Sequence, residues 1–278
     1  MKTVKGLHEK MGTFENANTS FHQAARCKRY TNEVLAFSMV KEEELLRATE
    51  EIQNLTYRQG EYKIFKVFEP KERLIMALPF YDRVAQHMIC NAIQPVFENG
   101  FYYHSYACRS GKGMHAASDT LYQWMYETEV KQGLRMYAFK GDISKYFASI
   151  PHDKLKDENR HYIGDKKALM LMDDIIDHNG ILPDGVGIPV GNLTSQLFAN
   201  VYGNKLDKFC KHVLHIPYFV RYMDDFIILS DDLEQLKEWV KRIEEFLENE
   251  MLLHINPKST ILYAGNGIDF CGYIHYAD

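Results

Sequence analysis

No close pair of cysteines occurs in the chain. Cys27, Cys90, Cys108, Cys210 and Cys271 are scattered along it, which argues against a zinc site and a disulfide framework and fits a reducing cytoplasm. No uninterrupted apolar run approaches the roughly 20 residues that span a bilayer. The opening Met1-Lys2-Thr3-Val4-Lys5-Gly6 lacks the apolar stretch of a signal peptide, so no membrane partner is expected. Repeats and low-complexity segments are absent. An excess of positive charge is missing too: the formal net charge is −5, which weighs against a protein that grips phosphates over its whole surface. A local basic channel remains compatible with that sum, because field follows charge distribution.

What is present is ordinary soluble composition, 46% hydrophobic and 26% charged over 278 residues, enough to bury a sizeable core in one large domain or two lobes. Residues up to about 20 are polar and unpatterned and read as a frayed or lightly docked arm. An interrupted apolar stripe reads as one helix over 30–55, and 62–78 reads as a β-hairpin whose Pro-bearing turn carries Lys71 and Arg73. Further helices are expected over 80–97, 116–130, 154–177 and 195–210. Between them lie a basic loop, Arg109-Ser110-Gly111-Lys112-Gly113, which has no Walker pattern, and the loop Gly185 to Thr194. His152, after Pro151 and before Asp153, reads as a helix-entry residue rather than a catalytic one. The clearest amphipathic helix covers 232–250, with Leu233, Leu236, Trp239, Val240, Ile243, Phe246 and Leu247 on one face. Short strands are expected over 253–260 and 269–274. This mixture of hairpins and helices favours an α+β fold with an antiparallel sheet over a doubly wound one.

Phe219-Val220-Arg221-Tyr222-Met223-Asp224-Asp225-Phe226-Ile227-Ile228-Leu229 sets two carboxylates between strand-like runs, so the acidic pair is expected at a hairpin tip. A lone Asp-Asp is most simply a solvated turn. A third aspartate changes the balance: the apolar strand Met136-Tyr137-Ala138-Phe139-Lys140-Gly141 ends at Asp142. Carboxylates crowded at one sheet edge repel unless cations neutralise them, and hard divalent ions with oxygen ligands do so. Two such ions can stabilise the attacking and leaving oxygens of an in-line displacement.

The Tyr-Met-Asp-Asp box, the strand ending at Asp142 with Phe147 five residues on, the loop Ile188-Pro189-Val190-Gly191 and the late Phe270-Cys271-Gly272-Tyr273 stand in the order in which reverse transcriptases carry such boxes. The chain resembles that family from about Phe65 onward. Within it, Val190-Gly191-Asn192-Leu193-Thr194-Ser195-Gln196 is most similar to the diversity-generating retroelement enzymes; most other members have Gln at the place of Val190 and Pro at that of Gln196.

The resemblance implies a right-hand polymerase fold: a palm with an antiparallel sheet flanked by helices and a fingers subdomain; in a departure from the family, the thumb is expected to be largely absent. Residues 1–135 would be arm and fingers and 136–278 mainly palm, with part of the fingers inserted near 154–185. It implies Mg²⁺, with Mn²⁺ as a substitute, on Asp142, Asp224, Asp225 and the carbonyl of Ile143. Lys71 and Arg73 would meet the triphosphate, with Lys66 a rival for one place, and Val190 and Gly191 would line the nucleotide pocket. Phe147 would exclude a ribose 2′-hydroxyl, Lys258 would protonate pyrophosphate, and residues 270–273 would grip the primer. The family's Lys-Lys-Thr is Lys258-Ser259-Thr260 here. The implied partners are an RNA template, a DNA or RNA primer, a dNTP and a small basic accessory protein. The implied activity is error-prone RNA-templated DNA synthesis. A retroelement or defence enzyme of another kind, a relative that makes RNA or adds nucleotides without a template, and a thumb-less scaffold that only binds nucleic acid are the alternatives.

Overall fold

A computed structural model describes residues 3–68 and 72–277, with Arg73 described in its backbone alone. In chain order the elements begin with α1 (Leu7–Met11), α2 (Phe14–Ala24), α3 (Asn32–Met39), α4 (Lys41–Gln53), β1 (Lys63–Val67), β2 (Arg73–Ala77) and α5 (Phe80–Glu98). Then come α6 (Met114–Met125), β3 (Tyr137–Asp142), α7 (Tyr146–Ser149), α8 (His152–Tyr162), α9 (Lys166–Asp177) and α10 (Leu193–Lys208). The chain continues through β4 (Tyr218–Tyr222), β5 (Asp225–Ser230), α11 (Leu233–Glu250), β6 (Thr260–Tyr263), β7 (Ile268–Phe270) and β8 (Tyr273–His275). These form two compact units: Met1–Gly100 with Pro151–Phe198, and Phe101–Ile150 with Ala199–Asp278. The expected boundary at 135 falls inside the second unit. The physical reason is α6, whose Ala117, Leu121 and Met125 share a core with strand residues Ala138, Val220, Ile227 and Leu229.

In the first unit the opening residues are not a frayed arm. Leu7, Met11, Ala17 and Phe21 are buried, and α2 lies on α5, where the Asn16 amide donates to the Met88 carbonyl at 2.8 Å. The Phe21, Phe37 and Phe80 rings pack at 5.1–6.0 Å between centroids, within the range of favourable aromatic pairs. The helix expected over 30–55 is two, α3 and α4, separated at Val40 (φ −123°). The 154–177 stretch likewise divides into α8 and α9, because Asp165 leaves the helix to cap α9 through Lys167 N and Ala168 N. β1 and β2 form the expected antiparallel hairpin. His152 opens α8, buried, with Nδ1 3.2 Å from Asp177 Oδ1 and Nε2 2.8 Å from Gly187 O. It therefore pins the following loop.

The second unit is built on an antiparallel sheet in the order β4-β5-β3-β6. One face, carrying Ala138, Val220, Ile227 and Leu229, packs with α6 and with Ile268 and Phe270 of the β7–β8 hairpin. α11 packs on β3 and β5 through Leu236, Ile243 and Leu247, and Asp232 caps its start by accepting from Glu234 N and Gln235 N. The strand expected over 253–260 begins only at Thr260. Pro257 offers no N–H to a ladder, and Asn256 turns the chain by accepting from Lys258 N at 3.1 Å. Among the described residues no helix is long and apolar enough to cross a membrane.

Candidate active site

The β4–β5 turn is Met223-Asp224 rather than the acidic pair itself; Asp225 already belongs to β5 and faces Tyr222. Met223 takes φ 61°, a left-handed value that hairpin turns usually give to Gly or Asn. The turn therefore carries local strain, which surrounding structure must overcome. Asp142, last in β3, stands directly opposite Asp225. Directly opposed antiparallel residues share a sheet face, with Cβ atoms about 4.5–5.5 Å apart. Asp224 joins them through its backbone, where Ile143 N–H donates to its carbonyl at 3.2 Å. Ile143 lies just past β3, in an isolated antiparallel bridge with Ile255. Three of the expected carboxylate positions thus meet at one end of one sheet.

Like charges in this arrangement oppose each other. A hard cation suits them, because every donor is an oxygen. Among the described residues no cluster of three or more His, Cys, Asp or Glu side chains forms a metal cage on its own. Mg²⁺ does not require one: it commonly binds one or two carboxylates and completes its shell with water and phosphate oxygens. The donor set therefore fits such an ion.

Asp142 is tightly seated. Asn256 Nδ2 donates to its Oδ2 at 2.6 Å, Asn256 N donates to its carbonyl at 2.7 Å, and its own N–H donates to Ser259 Oγ at 3.0 Å. The backbone of Lys258 lies in the same loop, its N–H on Asn256 Oδ1. Gly141 is required by contact: a Cβ there would sit 2.3 Å from the Phe226 ring, which lies across the strand from it. Phe147, half-buried in α7, packs edge-on against Tyr146. Tyr146 is fixed by donating to Ala199 O at 2.7 Å. Cys271 and Gly272 form the β7–β8 turn, both at positive φ, and Phe270 is buried in the core.

Behind the turn lies a network that sequence reasoning missed. Arg221, with no exposed surface, forks onto Asp207 at 2.6 and 2.7 Å. It also donates to Met223 O at 2.8 Å and to Ser105 Oγ at 3.1 Å. Burial disfavours the guanidinium charge, yet the adjoining Asp207 carboxylate outweighs it and holds the Arg221 pKa above its ordinary value. Gly203 leaves room for the pair, since a Cβ there would lie 2.6 Å from Arg221 Nη1. A signal was available in the sequence: Asn200, Asn204 and Asp207 recur at helical spacing within an apolar helix, and all three are buried.

In the first unit, Met76 N–H donates to Val190 O at 3.2 Å, so the Val190-Gly191 loop runs along β2. Gly191 has φ 117°, and a Cβ there would come within 3.3 Å of Ile75 and 3.4 Å of Met76 O. Arg73 begins β2. Lys66 is paired with Glu72 at 2.5 Å on the exposed hairpin. Lys71 lies outside the described residues.

The chain is 24% identical over 238 residues to Protein YkfC of Escherichia coli, covering 69% of this chain and 60% of that protein. It is 28% identical over 137 residues to an uncharacterized 91 kDa protein in the cob intron of Schizosaccharomyces pombe, covering 48% of this chain and 16% of that one. The fold is similar to apo telomerase from Candida tropicalis, with a TM-score of 0.58 at 11% identity over 79% of this chain and 48% of the other. The chain thus spans about half to three-fifths of YkfC and telomerase. Residues 66–275 match the family model described as reverse transcriptase (RNA-dependent DNA polymerase). Since that match takes in most of the chain and both carboxylate-bearing strands, the protein belongs to the reverse transcriptase family.

Proposed function

We propose that the chain catalyses RNA-templated DNA synthesis at the sheet end that carries Asp142, Asp224 and Asp225. The observation that most favours this is the pairing of Asp142 with Asp225 across β3 and β5, beside a turn whose Asp224 carbonyl is tied to Ile143. Mg²⁺ or Mn²⁺ on these carboxylates and the Ile143 carbonyl would supply the charge that a primer 3′-oxygen and a departing pyrophosphate need. The chain's own residues orient and select. Phe147 offers an aromatic wall to the 2′ position of the sugar, and Lys258 is assigned to the pyrophosphate proton. Residues 270–273 hold the primer end. In the first unit, Lys71 and Arg73 are assigned to the triphosphate, and Val190 and Gly191 to the lining of the nucleotide pocket. An RNA template and a DNA or RNA primer are the macromolecular substrates.

Extension of a labelled primer on an RNA template, with dNTPs and Mg²⁺, tests the reading. Wild type should extend and Asp224→Ala should not. Wild type that extends no primer under any divalent metal, or Asp224→Ala that extends as well as wild type, would refute it.

The Val190-to-Gln196 loop further supports membership of the diversity-generating retroelement group. A branched apolar side chain at 190 cannot make the hydrogen bonds that Gln offers, so base selection is relaxed, chiefly opposite adenine. Sequenced products of Val190→Gln should show fewer errors there; identical error spectra would count against this assignment. A small basic accessory protein would add positive surface to a chain of net charge −5.

A further inference from the structure

Asn256 belongs to none of the assigned positions, yet its side chain is on the Asp142 carboxylate. Its orientation is fixed by two neighbours at once. Nδ2 meets Asp142 Oδ2 at 2.6 Å, and Oδ1 meets Lys258 N–H at 3.1 Å. Rotating the amide by half a turn would set oxygen against carboxylate and NH₂ against N–H, so a single assignment satisfies both contacts. The Asn256 carbonyl accepts from Ser259 N at 2.8 Å, which closes the turn.

We propose that Asn256 is a positioning residue that aims the Asp142 carboxylate at the divalent ion; this rests on the metal reading given above. The amide occupies Oδ2 and leaves Oδ1 to the cation. It also steadies a carboxylate that stands opposite Asp225. A donor is needed at this place, and a neutral one suits it best. Lys or Arg would form an ion pair with Asp142 and compete with the metal, whereas an amide donates without cancelling the charge. Residues outside a ligand shell that orient a ligand this way typically change metal affinity about 10–100-fold when lost. Ser259 does different work: its Oγ accepts from the backbone N–H of Asp142 at 3.0 Å and donates to the Asp142 backbone carbonyl at 3.5 Å.

The test measures Mn²⁺ uptake by the purified chain without nucleic acid, from the electron paramagnetic resonance signal of free Mn²⁺. Melting temperature and the Mg²⁺ concentration for half-maximal primer extension are read alongside. Asn256→Ser keeps an oxygen for the Lys258 N–H but is too short to reach Oδ2. It should keep the wild-type melting temperature, bind Mn²⁺ about 10-fold more weakly and need correspondingly more Mg²⁺. Ser259→Ala should leave Mn²⁺ affinity within about twofold, by the same argument that ligand orientation governs affinity. If Asn256→Ser melts early, Asn256→Ala and Asn256→Gln are compared below their melting temperatures, and a weakened Mn²⁺ affinity is required of both. Wild-type affinity in a folded Asn256 variant, with binding abolished in Asp142→Ala, overturns the role of Asn256 and leaves the metal reading standing. No Mn²⁺ uptake by wild type overturns both.

Discussion

Arg221 illustrates how much of this site depends on side chains that never face a substrate. Its guanidinium spends three nitrogens on Asp207, Met223 O and Ser105 Oγ, with no water-exposed surface. A buried pair of this kind contributes little net stability, but removing one partner strands the other charge, at about 3–5 kcal/mol. Arg221→Met should therefore lower the melting temperature steeply. Arg221→Met combined with Asp207→Leu should recover most of that loss, because two apolar groups can fill the same volume. The Met223 carbonyl would still lack its donor and the left-handed turn its brace, so primer extension should remain depressed in the double variant. A double variant that regains stability and activity together would show that the pair serves the core alone. The same dependence on unseen partners made the network hard to read in advance. An arginine between Val220 and Tyr222 announces a buried charge, but its acid lies 14 residues earlier on a helix. Asp142 and the Asp224-Asp225 pair were legible because strand-like runs flank them. Asn256 was not, since its partner lies 114 residues away.

At the scale of elements, patterns with a strongly apolar face were readable, and a face built from small and polar residues was not. α11 has one apolar stripe and an opposite charged face, so its extent follows from periodicity. The β4–β5 and β1–β2 hairpins follow from their β-branched runs. α2 is the counterexample. Its sequence, Phe-Glu-Asn-Ala-Asn-Thr-Ser-Phe-His-Gln-Ala, is polar overall, yet Ala17, Ser20, Phe21 and Ala24 are buried. Small residues let it lie close to α5, and polar contacts such as Asn91 Nδ2 to Asn16 Oδ1 at 3.0 Å complete the contact. The opening helices are thus structural parts of the first unit. Phe21→Ala should destabilise that unit by about 3–5 kcal/mol, the usual range for a buried aromatic, measured by denaturant unfolding. A loss under about 0.5 kcal/mol, the range of surface substitutions, would restore the docked-arm reading. The 253–260 segment misled for another reason: Asn256 and Ser259 direct their side chains to backbone groups, and that competes with a strand ladder.

For the molecule as a whole, charge placement matters more than its sum. Residues 231–250, α11 and its cap, hold eight acidic and three basic side chains, a net of −5 that equals the net charge of the chain. The rest is balanced, so the acidic total does not oppose a nucleic-acid substrate elsewhere on the surface. What makes the chain a polymerase candidate is the opposition of Asp142 to Asp225 beside Asp224, and the claim that these oxygens gather divalent ions. Anomalous diffraction from crystals grown with Mn²⁺, template–primer and a non-reactive dNTP tests it directly. The account predicts two Mn²⁺ peaks about 3.5–4 Å apart, both within ligand distance of these carboxylates. Bound nucleic acid and nucleotide with no Mn²⁺ beside Asp142, Asp224 or Asp225 would contradict it.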